Sequence, residues 1–232
     1  MSWETLYKRA YVPYSNKPKA CVIEGKSGEY YPGVRIENVS FPLTISAIQA
    51  ACFSCLSEGD TPKTLHLQNS DFDQLHFWEK EFNFAIKTSE NPPTLSFKKL
   101  IHSDEVHEQV RLKELLISAI TTHSDFPVSA LLYTKSGYVE GVNIEVSDWA
   151  LGLCAERVAL AKAISSGETK FTEIAVHTKL GDVSSPCGAC RQVIIEHLPL
   201  NSIRMHHADE TLSEHITIDL LPFSFVSKSL KK

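Results

Sequence analysis

The sequence predicts an α/β fold made twice over: two tandem copies of one unit, each a β-sheet covered by helices. Three observations predict it. The first is an internal repeat. Residues 10–28 laid over 119–137 bring Ala10, Ser15, Pro18 and Lys26-Ser27-Gly28 onto Ala119, Ser124, Pro127 and Lys135-Ser136-Gly137. After a one-residue adjustment, ten of the 29 positions 33–61 are identical at an offset of 108, among them Gly33-Val34, Ile36-Glu37, Ala47, Ala51 and Gly59. Chance would give about two. The second is the order of apolar patterns, strand, strand, helix, strand, helix, which is that of a sheet with helices packed on it. The third is composition. At 232 residues, 43% hydrophobic and 22% charged, the chain can bury a core without staples, which excludes disorder and a disulfide mini-scaffold.

Each element has its own reason. In the first copy Ala20-Cys21-Val22-Ile23 is a short apolar run, Gly28 a turn, and Gly33-Val34-Arg35-Ile36 a second β-prone stretch. An apolar-periodic helix follows over about 44–56, stopped by Gly59. The second copy repeats this with Ala130-Leu131-Leu132-Tyr133, Gly137, Gly141-Val142-Asn143-Ile144, and a helix over about 152–165 stopped by Gly167. Residues 171–178 alternate as a strand, and 188–198 form a helix starting just after Pro186. Asn91-Pro92-Pro93 to Lys99 has the composition of a linker. The implied division is 1–97, a linker and helix approach over 98–110, and 111–232.

Charge and cysteine usage narrow the function. Lys plus Arg number 23 against 28 Asp plus Glu, a net charge of −5, whereas a nucleic-acid sheath would be basic. No apolar run reaches the roughly 18–20 residues of a membrane span, and the first twenty residues lack a secretory apolar stretch. The expected setting is cytoplasmic, with neither nucleic acid nor membrane as partner. There Cys21, Cys52, Cys55, Cys154, Cys187 and Cys190 serve packing, catalysis or metal ligation rather than bridges.

The strongest chemical signal is Cys154-Ala155-Glu156 followed by Pro186-Cys187-Gly188-Ala189-Cys190. Cys187 and Cys190, at i and i+3 in a first helical turn, present their sulfurs to one side. Cys154 falls at the start of the other helix, and helix N-termini favour thiolates. Three protein ligands with a fourth position open is the arrangement of a catalytic zinc, and Glu156 is placed to face that position. Three thiolates and Zn²⁺ sum to one negative charge, which Arg157 is placed to offset by hydrogen-bonding to the sulfurs. The rival reading, packing or a structural site, has no use for an unligated carboxylate beside the cage.

These motifs resemble the cytidine deaminases, zinc-dependent nucleoside deaminases. So do Phe126-Pro127-Val128, Asn143-Ile144-Glu145 and Leu220-Leu221-Pro222-Phe223-Ser224-Phe225. Pro13-Tyr14-Ser15 and the stretch from Ile36 to Leu43 give the first copy the same look. The resemblance implies two tandem deaminase-like domains, each a mixed central sheet covered by helices, the first degenerate and the second catalytic. It implies zinc-bound hydroxide attacking C4 of cytosine while Glu156 moves protons to N3 and to the departing amine. Asn143 and Glu145 would bind the ribose 3′-hydroxyl, Phe126 would pack on the base, and the Ala155 carbonyl would accept from the exocyclic amine. Cytidine and 2′-deoxycytidine are the implied substrates, as in pyrimidine salvage. The first ligand being Cys rather than His favours a free nucleoside within this superfamily. Blasticidin-S-type or other cytosine-nucleoside analogues, or a zinc-stabilised binding protein without turnover, are the alternatives.

In the first copy Ser46, Ile48, Gln49 and Arg35 stand where Cys154, Glu156, Arg157 and Asn143 should be. The counterpart of Cys187 falls near residue 79, with no cysteine between 56 and 153, so this copy can build no such site. Cys52 and Cys55 overlie Leu160 and Ala163, and Cys21 overlies Ala130, so all three are read as packing. Family members resemble four-unit arrays in which neighbouring units complete each pocket. A homodimer of double-domain chains is therefore expected, with Phe41 and Phe225 as candidates for closing the pocket from a neighbouring domain. The best-known double-domain members carry the catalytic copy first; here the order is reversed. Thr121-Thr122-His123-Ser124 replaces the family's usual Pro-Tyr-Ser turn and Trp149-Ala150 its common Tyr-Pro, both at the expected pocket rim. His102, His107, His206 and His207 are expected on the surface, and Ser103-Asp104-Glu105 as the cap of the helix that follows.

Overall fold

A short helix α1 (Trp3–Tyr7) leads into strands β1 (Ala20–Gly25) and β2 (Tyr30–Val34), helix α2 (Ala47–Ser57), strand β3 (Pro62–Leu67), helix α3 (Leu75–Phe82) and strand β4 (Ala85–Thr88). The second copy runs α4 (Glu108–Leu115), β5 (Val128–Thr134), β6 (Gly137–Val142), α5 (Ala155–Ser166), β7 (Phe171–Thr178), α6 (Gly188–His197), β8 (Ser202–His206) and β9 (Leu212–Ile216). The computed structural model describes residues 2–93, 96–226 and 230; Thr94 and Leu95 of the predicted linker, with Met1, 227–229, Lys231 and Lys232, lie outside the described residues.

The two sheets have matching plans. One has the order β2-β1-β3-β4 and the other β6-β5-β7-β8-β9. In each, the first strand pairs antiparallel with both neighbours and the third strand pairs parallel with the next, so both sheets are mixed. The duplication has a steric cause at its most conspicuous identity. A Cβ on Gly33 would lie 2.2 Å from the Ala47 carbonyl oxygen, and one on Gly141 would lie 2.3 Å from that of Ala155. Only glycine lets the strand approach its helix this closely. Ala51 and Ala159, one turn further along those helices, crowd the same spot and are small for the same reason.

Several boundaries differ from the sequence pattern. The helices begin at Ala47 and Ala155 rather than about 44 and 152, because short 3₁₀ turns, Phe41–Leu43 and Trp149–Leu151, occupy the approach. The second strands end at Val34 and Val142; Ile36 and Ile144 instead make single bridges to Ile45 and Leu153. Residues 103–105 do not cap α4, whose N-cap is His107 without a side-chain bond. His206 and His207 are buried rather than at the surface. The cause is polar partners: His206 Nε2 lies 2.6 Å from Glu108 Oε1, and His207 Nδ1 accepts from the Ser184 N–H at 3.0 Å. His102 is half-buried with its ring stacked on Tyr138, while His107 is exposed as expected. Cys21, Cys52 and Cys55 are free and fully buried, as packing requires.

The two copies share one core. Helix α2 packs on α5, α5 reaches β2 and α2 reaches β6, an exchange with approximate two-fold symmetry. The polar contacts follow that symmetry. Glu196 on α6 accepts the Val39 N–H at 2.8 Å, and Glu81 on α3 accepts the Ser147 N–H at 2.9 Å. Val39 and Ser147 are equivalent at the 108 offset, so Glu196 and Glu81 do the same work in opposite directions. Their separation is 115 residues (196 less 81), which makes Phe72 the counterpart of Cys187 rather than a residue near 79. Lys162, fully buried on α5, reaches Glu58 Oε1 at 2.5 Å across the junction.

Candidate active site

Two helix N-termini converge in the second copy. Cys154 is the N-cap residue of α5 and Cys187 that of α6, both in extended backbone, with Cys190 in the first turn of α6. Cys154 Sγ and Cys187 Sγ are 3.6 Å apart, and all three sulfurs lie within 4.8 Å of one another. The matching residue in the first copy shows what the cysteine costs. Ser46 caps α2 with a reciprocal bond from Gln49, an arrangement worth about 1 kcal/mol, whereas Cys154 makes no such bond. The second copy gives up a cap and gains a sulfur facing two others.

The sulfurs share their protons unevenly. Contacts from the Cys154 and Cys190 thiols hold Cys187 far below its ordinary value; the Cys187 contact holds Cys154 up, and contacts from Cys154 and Cys187 with burial hold Cys190 up. Three sulfurs within 4.8 Å of one another at two helix N-termini are a donor set that fits a divalent cation. Burial pushes Arg157 down, but the sulfurs of Cys190, Cys154 and Cys187 outweigh it and hold the guanidinium above its ordinary value. Its Nε has no hydrogen-bond partner among the described residues.

Glu156, 4% exposed, stands beside this cage with Oε2 lacking any hydrogen-bond partner among the described residues. Burial pushes its carboxyl up to about 7. A cavity of about 440 Å³ opens onto it, lined by Phe126, Asn143, Glu145, Trp149, Cys154 and Glu156 among others. Asn143 clamps the Phe126 segment, donating to the Phe126 carbonyl at 2.9 Å and accepting from the Val128 N–H at 2.8 Å. Glu145 accepts the His123 and Ser124 N–H groups at 2.7 and 3.1 Å and the Ser124 hydroxyl. Burial raises it, and these bonds outweigh burial to hold the carboxylate below its ordinary range. Glu37 takes the same bonds from Tyr14 and Ser15, so this turn survives in the disarmed copy.

Most of the residues named from sequence therefore meet. Cys154, Cys187, Glu156, Arg157, Phe126, Asn143 and Glu145 line one cavity, with Cys190 buried behind its partner sulfurs. Ala155 is buried in the first turn of α5 and is not among the lining residues. Phe41, 84% exposed, and Phe225 do not line the cavity of their own chain. Sequence reasoning missed Val176 and Thr178, which form one wall. The available signal was their place at the carboxyl end of a central strand, where α/β sheets collect ligands.

A family model described as the cytidine and deoxycytidylate deaminase zinc-binding region matches residues 104–202, and a second model of that description matches 5–67. The chain belongs to the cytidine deaminase family. As a deaminase it is similar to the cytidine deaminase of Halalkalibacterium halodurans, 35% identical over 127 residues, which cover 54% of this chain and 94% of the relative. It is also similar to that of Sporosarcina psychrophila, 37% identical over 114 residues covering 48% and 84%. The crystal structure of the Burkholderia pseudomallei cytidine deaminase is 33% identical, covers 52% of this chain and all of that one, and superposes with a TM-score of 0.49. Two matches in one chain make this a double-domain deaminase, and the three-sulfur cage makes it a zinc enzyme. No helix among the described residues is long and apolar enough to cross a membrane.

Proposed function

We propose that this deaminase converts cytidine, and 2′-deoxycytidine by the same contacts, to uridine or deoxyuridine plus ammonia, as in pyrimidine salvage. The observation that carries the reading is the buried, unpartnered Glu156 carboxyl between the three-cysteine cage and a cavity of nucleoside size. Cys154, Cys187 and Cys190 would hold zinc, which when bound would supply Lewis-acid activation of water. Glu156 does the proton work. A carboxyl near pKa 7 accepts a proton from water and returns it to N3 as the C4–O bond forms, then takes a second from the new C4 hydroxyl and passes it to the 4-amino group as that C–N bond breaks and the C4 carbonyl forms. Asn143 and Glu145 receive the 3′-hydroxyl, which both sugars carry, and Phe126 supports the base.

In this reading residues 1–97 form the non-catalytic domain, 98–110 the connection and 111–232 the catalytic domain. Two chains pair, which covers the exposed Phe41 and Phe225 and brings them toward a neighbouring cavity. Three thiol ligands that must stay reduced suit a cytoplasmic setting. The direct test is absorbance at the cytosine-to-uracil transition, with zinc-loaded protein and a panel of cytosine nucleosides and nucleotides. Turnover of cytidine and deoxycytidine with little of the nucleotides is expected. Zinc-loaded protein inert toward the whole panel refutes the reading.

A further inference from the structure

Strand β7 has a second cavity on its other face. Successive side chains of a strand alternate between faces. Val176 and Thr178 look into the nucleoside cavity, and His177 between them lines a separate space of about 510 Å³ beside α4. The other walls are Lys113, Leu116, Ile117, Pro127, Lys179 and Ala208, with no acidic side chain among the described lining residues. Ile117 is 92% exposed, so an apolar surface stands uncovered at the mouth.

The polar groups of this space read as a recognition set. His177, 4% exposed, places Nδ1 2.8 Å from the His206 carbonyl. A carbonyl can only accept, so Nδ1 carries the hydrogen. Burial, with the charge of Lys113 adding to it, holds the imidazole below its ordinary pKa and therefore neutral. Nε2 is then an acceptor, and among the described residues no donor meets it. Lys179 has no acidic partner among the described residues, and Lys113 is paired only with the exposed Glu210 at 2.7 Å, a contact that a stronger anion displaces. Two ammonium groups call for a multiply charged anion, the lone imidazole acceptor for a hydroxyl, and the apolar wall for the body that joins them.

We propose that this cavity is a second ligand site, taking a small phosphate ester that carries a free hydroxyl. The phosphate bridges Lys113 and Lys179, the hydroxyl donates to His177 Nε2, and the carbon skeleton covers Leu116, Ile117 and Pro127. The site is distinct from the nucleoside cavity and shares one strand with it.

Calorimetric titration of the zinc-loaded enzyme tests this, with uridine in excess to fill the nucleoside cavity. The probes are ribose 5-phosphate, ribose and inorganic phosphate. Ribose 5-phosphate is expected to bind, with the other two at least about tenfold weaker because each lacks part of the set. Lys113→Ala with Lys179→Ala, both at the surface, should weaken the ester by about tenfold or more. Binding that survives this double variant, inorganic phosphate binding as tightly as the ester, displacement of the ester by uridine, or no ester binding at all each overturns the assignment. Because the readout is binding rather than turnover, an inactive enzyme leaves it intact.

Discussion

Glu156 is buried with its carboxyl lifted, the state that the proposed proton transfer needs. Among the described residues no hydrogen bond fixes Oε2, and burial pushes the carboxyl up to about 7. Glu156→Gln preserves shape and cannot move a proton. It should retain zinc, measured by metal analysis, and lower kcat for cytidine by about 10³-fold or more in the absorbance assay. This residue and the three cysteines were legible in the sequence because their chemistry is rare and their spacing is local. Phe126, Asn143 and Glu145 were legible only through resemblance, since nothing in an Asn-x-Glu predicts that the amide will clamp a neighbouring loop. Val176 and Thr178 carried only the signal of their place at the carboxyl end of a central strand. An ordinary Val and Thr become walls only through the strand that ends beside the cage.

At the scale of elements, α5 and α6 are tied at their starts through sulfur. Cys187→Ala removes a ligand and the sulfur that accepts the Cys190 N–H. It should abolish stoichiometric zinc and lower the melting temperature, and chelator should lower that of the parent enzyme but not of the variant. Helix α4 is fastened electrostatically. Glu108 accepts from Arg204 Nη2 at 2.7 Å, Tyr133 at 2.6 Å and His206 Nε2 at 2.6 Å. Burial pushes Glu108 up, but these bonds outweigh it and hold the carboxyl at about 2, below its ordinary 4.5. A depressed carboxylate stabilises the fold above about pH 4.5, and the gain is lost as pH falls toward 2. Glu108→Gln should remove about 1–2 kcal/mol of stability at neutral pH and flatten the acid limb of a denaturation profile across that window.

The same network shows why some elements escaped the sequence. His206 reads as a surface residue until β8 lies parallel to β7 and under α4, a long-range pairing that no local pattern announces. Strand β9 is mostly exposed and β4 has four residues, so neither carries the alternation that marks a half-buried strand. Helix α3 begins after Gln74 in a left-handed conformation with no capping side chain, which leaves its start unsigned although Trp78 anchors it in the core.

For the molecule as a whole, the duplication was readable because close strand-to-helix approach demands glycine and alanine at fixed places. The junction was not, because it joins residues that do not correspond. Glu81 of the first copy holds Ser147, two residues before Trp149 at the cavity rim. Glu81→Ala should therefore raise KM for cytidine several-fold with kcat little changed, and Glu81→Gln, which keeps one acceptor oxygen, should restore part of the loss. Equal KM values for the variant and parent enzymes in initial-rate measurements would count against that buttress.

Lys162 carries a consequence for separating the two halves. Its ammonium lies inside the second half, and the carboxylate that answers it, Glu58, belongs to the first. Expressed without residues 1–97, the second half would turn the α5 face that packs on α2 and β2 toward water, losing apolar burial and the Lys162–Glu58 pair together. Each half is a lid on the other's interior, and neither can be cut away without wetting what it covers.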